Sequence, residues 1–600
     1  MRQTGLEPVR QRHTPLKRAC LPIPALPHLS NARVIISKRF QNVNTFFKIF
    51  LIIFKYFRKD LFYKERRRFF IKRRITVFLI IITFLMGTVV LRIAEISGGG
   101  FLKEAANFQS MRSFELSKTR AGIFDRNFLP LVNINKERRL LVFPETVQLS
   151  ALGDFFDRDA LAEIFGTQNP TVLDSGGKII EGEGIFNFSY PERYEKSTLA
   201  PHIVGYISGG KGVYGIEKSY DEFLRENGKE ISVTYHTDGT GRLLLGEEIV
   251  FNEEEVFEKS GVVLTVDSKI QEVTEKALLN GTEKGAAVVL DVENGEILAA
   301  ASVPEFEPGD VSKSLEDENS PFINRAFSAY SVGSTWKIVV AAAAIEAGIP
   351  PKRTFECTGS VEVEGRVFKC HWESGHGKID MEKALEISCN PYFIDLALEI
   401  GGERILEMAK NLGFGTAAEF GEGFSSSAGN LPTLESLFSK TVLSSFAFGQ
   451  EKLLATPLQL AVMASAVANG GKAVTPKLVL GTFDKSGKYS ATAEYSPNRV
   501  MTEETAKLLN KMMVNVVENG SGKNAKPKNL SAGGKTASAQ TGQFDSEGNE
   551  IIHAWFVGFY PAEEPKYAVA VFAEGMNSGG DFAAPIFKEI CDKIYLINND

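Results

Sequence analysis

Three short groups of residues in the second half of the chain could together carry out one acyl-transfer reaction. They are STWK at Ser334–Lys337, SCN at Ser388–Asn390 and KTAS at Lys535–Ser538. A serine hydroxyl becomes a nucleophile when a nearby base removes its proton, and burial can lower the pKa of a lysine enough to make it that base. The order S-x-x-K, S-x-N and a variant of K-T-G therefore predicts a serine acyl-transferase site.

The first group lies at the start of an apolar run that predicts a buried helix over residues 334–347. The run stops before Gly348 and Pro350, which end helices. A spacing of three places Ser334 and Lys337 one turn apart on one face, where the N–H groups of the helix start could stabilise an oxyanion. The alternative for this group is an N-capping serine beside a snorkelling lysine.

The other two groups would complete the site. The Ser388 hydroxyl could relay a proton, and Asn390 could hold both the lysine and a substrate amide. Alternation along a strand places Thr536 and Ser538 on one face, where their hydroxyls could bind a carboxylate beside Lys535. The Ser538 backbone N–H is then a candidate second oxyanion donor. The alternatives are a plain turn for S-x-N and an edge strand with a protective lysine for the third group.

The elements around these groups predict an α+β fold. Two apolar runs, 285–291 and 296–302, flank Asn294-Gly295, which is typical of a hairpin turn. Three further strands are expected at 535–541, 551–560 and 567–574, with helical segments at 381–400, 456–469 and 503–518 between the two sets. We expect one central antiparallel five-stranded sheet between helical layers, within a domain at 256–600.

The N-terminal part predicts a membrane anchor. Residues 1–74 are basic and are expected to be cytoplasmic and partly disordered, although the sequence leaves open whether residues 1–60 belong to the native protein. An apolar run follows, and 75–93 is the expected transmembrane helix, with the rest of the chain outside the cytoplasm. A cleaved signal peptide is the alternative. Residues 95–255 predict a mixed α/β pedestal domain without a catalytic cluster.

Charge and cysteine content exclude some function classes. A net charge of −6 over 600 residues gives no general case for nucleic-acid binding. Five cysteines do not make a disulfide-rich scaffold. Cys357, Cys370, His371 and His376 lie close enough in the chain to suggest zinc, but their spacing fits no strong zinc signature. A disulfide or free thiols are the favoured interpretation, and we predict neither a metal nor a cofactor.

Together with the three groups, several segments of residues 115–600 resemble the class B penicillin-binding proteins, the monofunctional D,D-transpeptidases of bacterial cell-wall synthesis. The segments are TRAGIFDRN at 119–127, GVYGIEKSY at 212–220, YSVGSTWK at 330–337, TPLQLAVMASAVANGG at 456–471 and HAWFVG at 553–558. The resemblance implies a penicillin-binding transpeptidase fold.

The resemblance also implies roles for the site residues. Ser334 would be the acylated nucleophile and Lys337 its base, while Ser388 and Asn390 would complete the proton path. Lys535 and Thr536 would hold the terminal carboxylate of a D-Ala-D-Ala stem peptide, and β-lactams would acylate the same serine. Ala537 stands where the family usually has glycine, which puts β-lactam affinity in question.

The implied partners are peptidoglycan stem peptides, β-lactams, the membrane and a polytopic membrane glycan polymerase. A β-lactamase or D,D-carboxypeptidase of the same fold and a non-catalytic β-lactam sensor are the alternative functions. The sequence does not distinguish roles in elongation, division or sporulation.

Overall fold

The computed structural model describes Lys48, residues 67–98 and residues 100–599. Most of the predicted basic segment 1–74 therefore lies outside the described residues. The chain divides into two compact units, residues 1–108 and residues 109–600.

The described part of the first unit contains one long apolar helix. It spans Arg67–Gly98 and includes the predicted segment 75–93. Within it, Lys72–Ser97 has a mean hydropathy of 2.5 over its most apolar window and is long enough to cross a membrane. Its described side chains are mostly exposed, which suits contact with lipid.

The second unit contains all the described strands. They are β1 (Met111–Lys118), β2 (Gly122–Phe124), β3 (Lys136–Val142), β4 (Thr171–Asp174), β5 (Ile185–Pro191), β6 (Tyr206–Ser208), β7 (Lys211–Tyr214), β8 (Glu230–His236), β9 (Val250–Glu253), β10 (Gly261–Leu264), β11 (Gly285–Asp291), β12 (Ile297–Val303), β13 (Phe355–Cys357), β14 (Ser360–Val363), β15 (Arg366–Lys369), β16 (Gly377–Ile379), β17 (Glu419–Gly421), β18 (Phe424–Ser425), β19 (Lys472–Ala473), β20 (Val479–Phe483), β21 (Tyr489–Ala491), β22 (Asn498–Arg499), β23 (Gly533–Phe544), β24 (Glu550–Tyr560) and β25 (Tyr567–Ala573).

The α-helices after the long one are Gly100–Ser110, Leu149–Leu152, Arg158–Phe165, Pro201–Val204, Gly215–Ser219, Asp221–Glu226, Ser268–Gly281, Lys337–Glu346, Met381–Glu386, Asn390–Ile400, Gly402–Asn411, Lys440–Phe446, Pro457–Ala468, Glu503–Asn519 and Ala584–Asn599. The predicted helices at 456–469 and 503–518 are thus confirmed to within a residue. Short 3₁₀ turns include Gly333–Trp336.

The predicted five-stranded sheet is confirmed. Its order is β12-β11-β25-β24-β23, and every neighbouring pair is antiparallel. The turn between β11 and β12 contains Gly295 at φ +77°, a conformation that glycine adopts without strain. Strand β23, which carries the KTAS group, lies at one edge of the sheet.

The sheet separates two hydrophobic cores. Along β11, Ala286 and Val288 face the core formed with the helical insert, whereas Ala287 and Val289 face the core formed with the Ser268–Gly281 and Ala584–Asn599 helices. Both faces of a strand are thus buried, which explains why β11 is a continuous apolar run.

Two predicted helical segments differ in detail from the structure. The segment predicted at 334–347 begins as the 3₁₀ turn Gly333–Trp336 and becomes an α-helix at Lys337. The segment predicted at 381–400 is two helices, because Ser388 adopts φ +59° and interrupts the α conformation. The interruption places the SCN group in a tight turn.

Residues 111–253 form smaller sheets of the orders β1-β8-β9, β4-β3-β5 and β6-β7. A further sheet, β2-β10-β20-β21, joins residues on both sides of the predicted boundary at 255. The division into domains at 95–255 and 256–600 therefore stays a prediction.

Two of the segments that carried the family resemblance meet around one buried carboxylate. Glu217, from GVYGIEKSY, is completely buried. It accepts from Arg120 Nε of TRAGIFDRN at 2.9 Å, from Arg193 Nε at 2.6 Å and from the Tyr194 hydroxyl at 3.0 Å. Two guanidinium groups therefore share one buried acid, and Arg120 Nη1 also donates to Asp221 Oδ1 at 2.8 Å.

Replacing Glu217 with alanine is expected to destabilise the protein strongly. The change removes the carboxylate that Arg120 and Arg193 share, so Arg193 loses its ion pair with Glu217 while Arg120 keeps Asp221. Breaking a buried ion pair costs about 3–5 kcal/mol. Chemical denaturation of the full chain in detergent measures it. Glu222→Ala, an exposed neighbour, is the matched control and should change the free energy of unfolding by less than about 0.5 kcal/mol. Equal stabilities for the two variants would contradict this role of Glu217.

Candidate active site

The turn that carries Ser334 is packed tightly against strand β23. Gly333 has φ +55°, and a Cβ atom there would lie 3.1 Å from Ala539 Cβ and 3.4 Å from Ala537 Cβ. Trp336, two residues after Ser334, is completely buried. Its ring packs on those of Phe414 and Phe446, and each pair of ring centroids is 5.1 Å apart. The turn is thus anchored in the core, and Ser334 itself remains partly exposed.

Lys337 points into the protein and is completely buried. Its Nζ donates to the Ser388 carbonyl oxygen at 2.7 Å, to Ser388 Oγ at 3.1 Å and to Asn390 Oδ1 at 2.6 Å. An ammonium group has three hydrogens, so these acceptors occupy all of them. Burial lowers the pKa of Lys337 to about 7, against the smaller raising effect of the Cys389 and Cys370 thiols. A substantial neutral fraction is therefore present near neutral pH.

Ser388 joins the three groups through its hydroxyl. Its Oγ accepts from Lys337 and also from Lys535 Nζ at 3.0 Å. A hydroxyl oxygen has two lone pairs and one hydrogen, and both lone pairs are used here. The Ser388 hydrogen is therefore the part of the group left to donate. The left-handed backbone of Ser388 is the kind of local strain that clusters at functional sites.

Strand β23 supplies the second lysine and two hydroxyls. Lys535 is completely buried, and its Nζ also donates to the Thr536 carbonyl oxygen at 2.9 Å. Burial, and then the nearby Lys337, hold the pKa of Lys535 well below its ordinary value. Thr536 Oγ1 donates to Ser521 Oγ at 2.9 Å, while Ser538 Oγ accepts from the Gly579 N–H at 3.2 Å.

The alternation expected along β23 agrees with its surroundings. Thr536 and Ser538 pair with Phe556 and Ala554, which belong to one core, whereas Ala537 belongs to the other. The Ala537 methyl is accommodated on the side of Gly333, which has no side chain to oppose it. The alanine is thus compatible with close packing of the strand against the Ser334 turn.

Sequence reasoning missed two features of this region. Ser521, in a Gly-Ser-Gly turn after the Glu503–Asn519 helix, brings an exposed hydroxyl to Thr536, and no sequence pattern marked it. Cys389, the middle residue of the SCN group, lies with Cys357, Cys370 and His376. The sequence could have indicated this contact, because Cys389 is a third cysteine that follows Cys357 and Cys370 in the chain.

The cysteines in the described residues are free thiols. Cys357 Sγ lies 3.6 Å and Cys370 Sγ 3.5 Å from His376 Nδ1. The Cys389 and His371 groups hydrogen-bond to Cys370 and lower the pKa of its thiol, whereas the same pairing raises that of Cys389. Four side chains able to bind a metal thus lie immediately behind Ser388 and Asn390.

Comparison with protein families identifies the domain in the second half of the chain. Residues 285–592 match the penicillin-binding protein transpeptidase domain. The stage V sporulation protein D of Bacillus subtilis is 30% identical over 85% of this chain and 83% of its own length. The peptidoglycan D,D-transpeptidase MrdA of Acinetobacter baumannii is 29% identical over 66% of this chain and 65% of its own.

Solved structures share the fold. The complex between a Helicobacter pylori penicillin-binding protein (PBP2) and MreC matches with a TM-score of 0.64 at 22% identity, over 82% of this chain and 99% of the other. Penicillin-binding protein 3 of Mycobacterium tuberculosis matches with a TM-score of 0.60 at 24% identity, over 81% and 97%. The expected transpeptidase fold is thereby confirmed, and the chain belongs to the penicillin-binding proteins, as a member of their class B.

Proposed function

We propose that this protein is a membrane-anchored peptidoglycan D,D-transpeptidase that works through an acyl-enzyme on Ser334. The observation that carries the proposal is the Lys337–Ser388–Lys535 network. A completely buried lysine, one turn from a partly exposed serine, is hydrogen-bonded to a hydroxyl that also binds a second buried lysine. The name of the MrdA relative supports the reaction class.

In the acylation step, neutral Lys337 removes the Ser334 proton while Oγ attacks the carbonyl carbon between two D-alanines. A C–O bond forms, the C–N bond breaks, and the proton passes through the Ser388 hydroxyl to the departing amine of D-alanine. The Ser334 N–H at the start of the helical turn and the Ser538 N–H on β23 stabilise the oxyanion. Thr536 and Lys535 hold the terminal carboxylate.

In the second step, an amine from a neighbouring stem peptide attacks the ester carbonyl. A C–N bond forms and the C–O bond to Ser334 breaks, while the proton of the amine passes through Lys337 to Ser334 Oγ. The Ser334 hydroxyl and neutral Lys337 are thereby restored, and the new amide cross-links two strands. A β-lactam follows the first step only, because ring opening leaves its amine attached to the acyl group. Asn390 holds Lys337 in place and offers its amide to the substrate.

We further propose that the apolar helix spans the membrane with the N-terminus in the cytoplasm. Lys72, Arg73 and Arg74 directly precede the apolar residues that begin at Ile75. Basic residues flanking a span are retained on the cytoplasmic side. This orientation places the transpeptidase site where peptidoglycan is assembled.

The proposed partner is a polytopic membrane glycan polymerase. Cross-linking needs newly made strands close to Ser334, and the transpeptidase site described here supplies acyl transfer rather than polymerisation. Residues 95–255 follow the helix directly in the chain and carry no catalytic cluster, which suits docking to such a partner. The polymerase partner is inferred from the sequence and also by analogy with other proteins of this fold.

Ser334→Ala is expected to abolish the covalent adduct with penicillin, measured as intact mass on the full chain. Lys337→Ala should lower the acylation rate at least ~100-fold, since a positioned base contributes that much or more. Ser175→Ala, in an S-x-x-K sequence whose serine instead donates to the Arg138 carbonyl oxygen, is the matched control and should acylate normally. Penicillin label on Ser175, or label retained by the Ser334→Ala variant, would overturn the assignment of Ser334 as the acylated residue.

The same samples distinguish transpeptidation from its alternatives. With a pentapeptide donor and an acceptor amine, a transpeptidase forms the cross-linked product and releases D-alanine. Release of D-alanine without cross-linking would indicate a carboxypeptidase. Rapid hydrolysis of the β-lactam would indicate a β-lactamase, and a stable adduct without peptide turnover would indicate a sensor.

Protease added to intact spheroplasts is expected to digest residues after the helix and to leave a cytoplasmic N-terminal tag protected. The reason is the basic cluster before Ile75. Detergent-lysed spheroplasts, in which both ends are accessible, are the control. A protected catalytic domain with a digested tag would reverse the orientation.

Replacing residues 95–255 with an unrelated folded spacer of similar length is expected to lower cross-linking in cells. Docking to the polymerase would be lost, whereas Ser334, Lys337, Ser388 and Lys535 all lie after residue 255 and would be kept. Penicillin labelling of the exchanged protein measures whether the site is intact, and cell-wall composition measures cross-linking. An exchanged protein that labels normally and fully supports growth as the sole copy would exclude the docking role.

A further inference from the structure

A cavity of about 340 Å³ lies among the smaller sheets of residues 111–253. Its wall includes the ends of β1 and β5, part of β6 and the Asp221–Glu226 helix. Four of the described residues that line it are basic and none is acidic; the basic ones are Lys118, Arg120, Arg193 and Arg225. Its volume lies at the small end of the range for ligand pockets, which begins at ~300 Å³. The cavity therefore has the size and the charge of a site for a small anion.

Arg193 is fixed on one side and unpaired on the other. Its Nε donates to Glu217 Oε1 at 2.6 Å, and its Nη1 donates to the Ala121 carbonyl oxygen at 2.7 Å. Its Nη2 is buried and has no hydrogen-bond partner among the described residues. A buried N–H of a charged group is costly to leave without an acceptor. One wall of the cavity thus carries a positioned guanidinium with two unused N–H groups.

The more exposed part of the lining carries two further cations. Arg225 Nε donates to Asp221 Oδ2 at 3.0 Å, whereas its two terminal nitrogens bind no acceptor in the part of the chain that the structure describes. Lys118 is exposed at the end of β1. Gly210 also lines the cavity, and a Cβ atom there would meet no atom within 4 Å, so this side is open. A ligand entering there would meet both cations.

The acids of this region do not line the cavity. Glu217 and Asp221 bind the three arginines from behind, and Glu230 lies opposite Lys118 in the register of β1 and β8. A concave surface lined by one sign of charge raises the local concentration of the opposite ion. Guanidinium groups suit the oxygens of carboxylate and phosphate. The chemistry of the lining thus selects an oxyanion.

The rest of the lining indicates an organic ligand rather than a bare ion. Tyr190, Pro191 and Ile207 contribute apolar surface to the same cavity. Ligand sites commonly combine such surface, which holds a carbon skeleton, with a few polar groups that fix its orientation.

A purely structural arginine network accounts for only part of this arrangement. It explains Nε and Nη1 of Arg193 and Nε of Arg225, which bind acids and a carbonyl oxygen within the protein. It leaves Nη2 of Arg193 and both terminal nitrogens of Arg225 without acceptors. It also requires no cavity, whereas these groups surround one.

We propose that this cavity binds the oxyanion group, carboxylate or phosphate, of a small organic ligand. Arg193 and Arg225 hold the oxygens, Lys118 adds charge at the open side, and Tyr190 and Ile207 contact the carbon skeleton. Binding is non-covalent. The site shares no residue with the Lys337–Ser388–Lys535 network and does not rest on the proposed function.

Titration calorimetry of the full chain in detergent tests the proposal with succinate and glycerol phosphate as probes. At least one probe is expected to bind with a Kd on the order of 1 mM or tighter, whereas uncharged succinamide should not bind. Binding of succinate alone would assign the site to carboxylates, and binding of glycerol phosphate alone would assign it to phosphate esters. No binding of either probe, or equal binding of succinamide, would overturn the proposal.

Variants at the open side locate the bound probe. Arg225→Ala is expected to weaken binding about tenfold, because a hydrogen bond to a charged group is lost, and Arg225→Lys should recover part of that loss. Arg158→Ala is the matched control, because Arg158 is an exposed arginine on another short helix of this region and lies outside the cavity. Arg193 is left unchanged because its replacement would also break the ion pair with Glu217.

Arginine modification gives a second readout on the wild-type chain. Phenylglyoxal reacts with accessible arginines, and a saturating probe is expected to protect Arg225 but not Arg158, as measured by peptide mass. Binding heat without protection of Arg225, or an Arg225→Ala variant that binds as tightly as the wild type, would show that the anion binds elsewhere and would exclude this site.

Discussion

Two buried lysines that share one serine hydroxyl constrain the whole catalytic region. Lys337 and Lys535 are both completely buried, and both donate to Ser388 Oγ. Burial disfavours a charged amine, and a second amine nearby disfavours it further. The arrangement is stable only when every N–H finds an acceptor and when the pair carries less than its full charge. The same condition favours a neutral amine, which the proposed acylation of Ser334 requires.

Each group in this network is held by a different rigid element. Ser334 and Lys337 lie on a turn and helix anchored by Trp336, and Lys535 lies on the edge strand β23. Ser388 lies in the break between two helices. Gly333 has no side chain, so the turn that carries Ser334 can pack closely against Ala537 and Ala539 of β23. The candidate site is thus assembled where a helical layer meets the edge of the sheet.

Two further clusters connect distant parts of the chain by the same means. Glu217 binds Arg120 and Arg193 in the smaller-sheet region, so a single buried carboxylate joins segments about 100 positions apart. Cys357, Cys370, His376 and Cys389 bring the two-stranded hairpins to the catalytic turn. For Glu217 and its two arginines, charged groups that would be costly to bury singly are buried together with their partners.

The sequence by itself determined the five strands of the central sheet, the buried helix after Ser334 and the order of the three motifs, because hydrophobic period and turn residues are local signals. It also predicted which residues would carry chemistry, since S-x-x-K, S-x-N and K-T-A follow one another in the order expected for a serine acyl-transferase. Only the tertiary structure decided that Ser388 interrupts a helical segment and accepts from both lysines, that Ser521 joins Thr536, and that His376 and Cys389, rather than His371, complete the thiol cluster. These are contacts between residues up to about 150 positions apart, and they depend on packing that no local pattern contains.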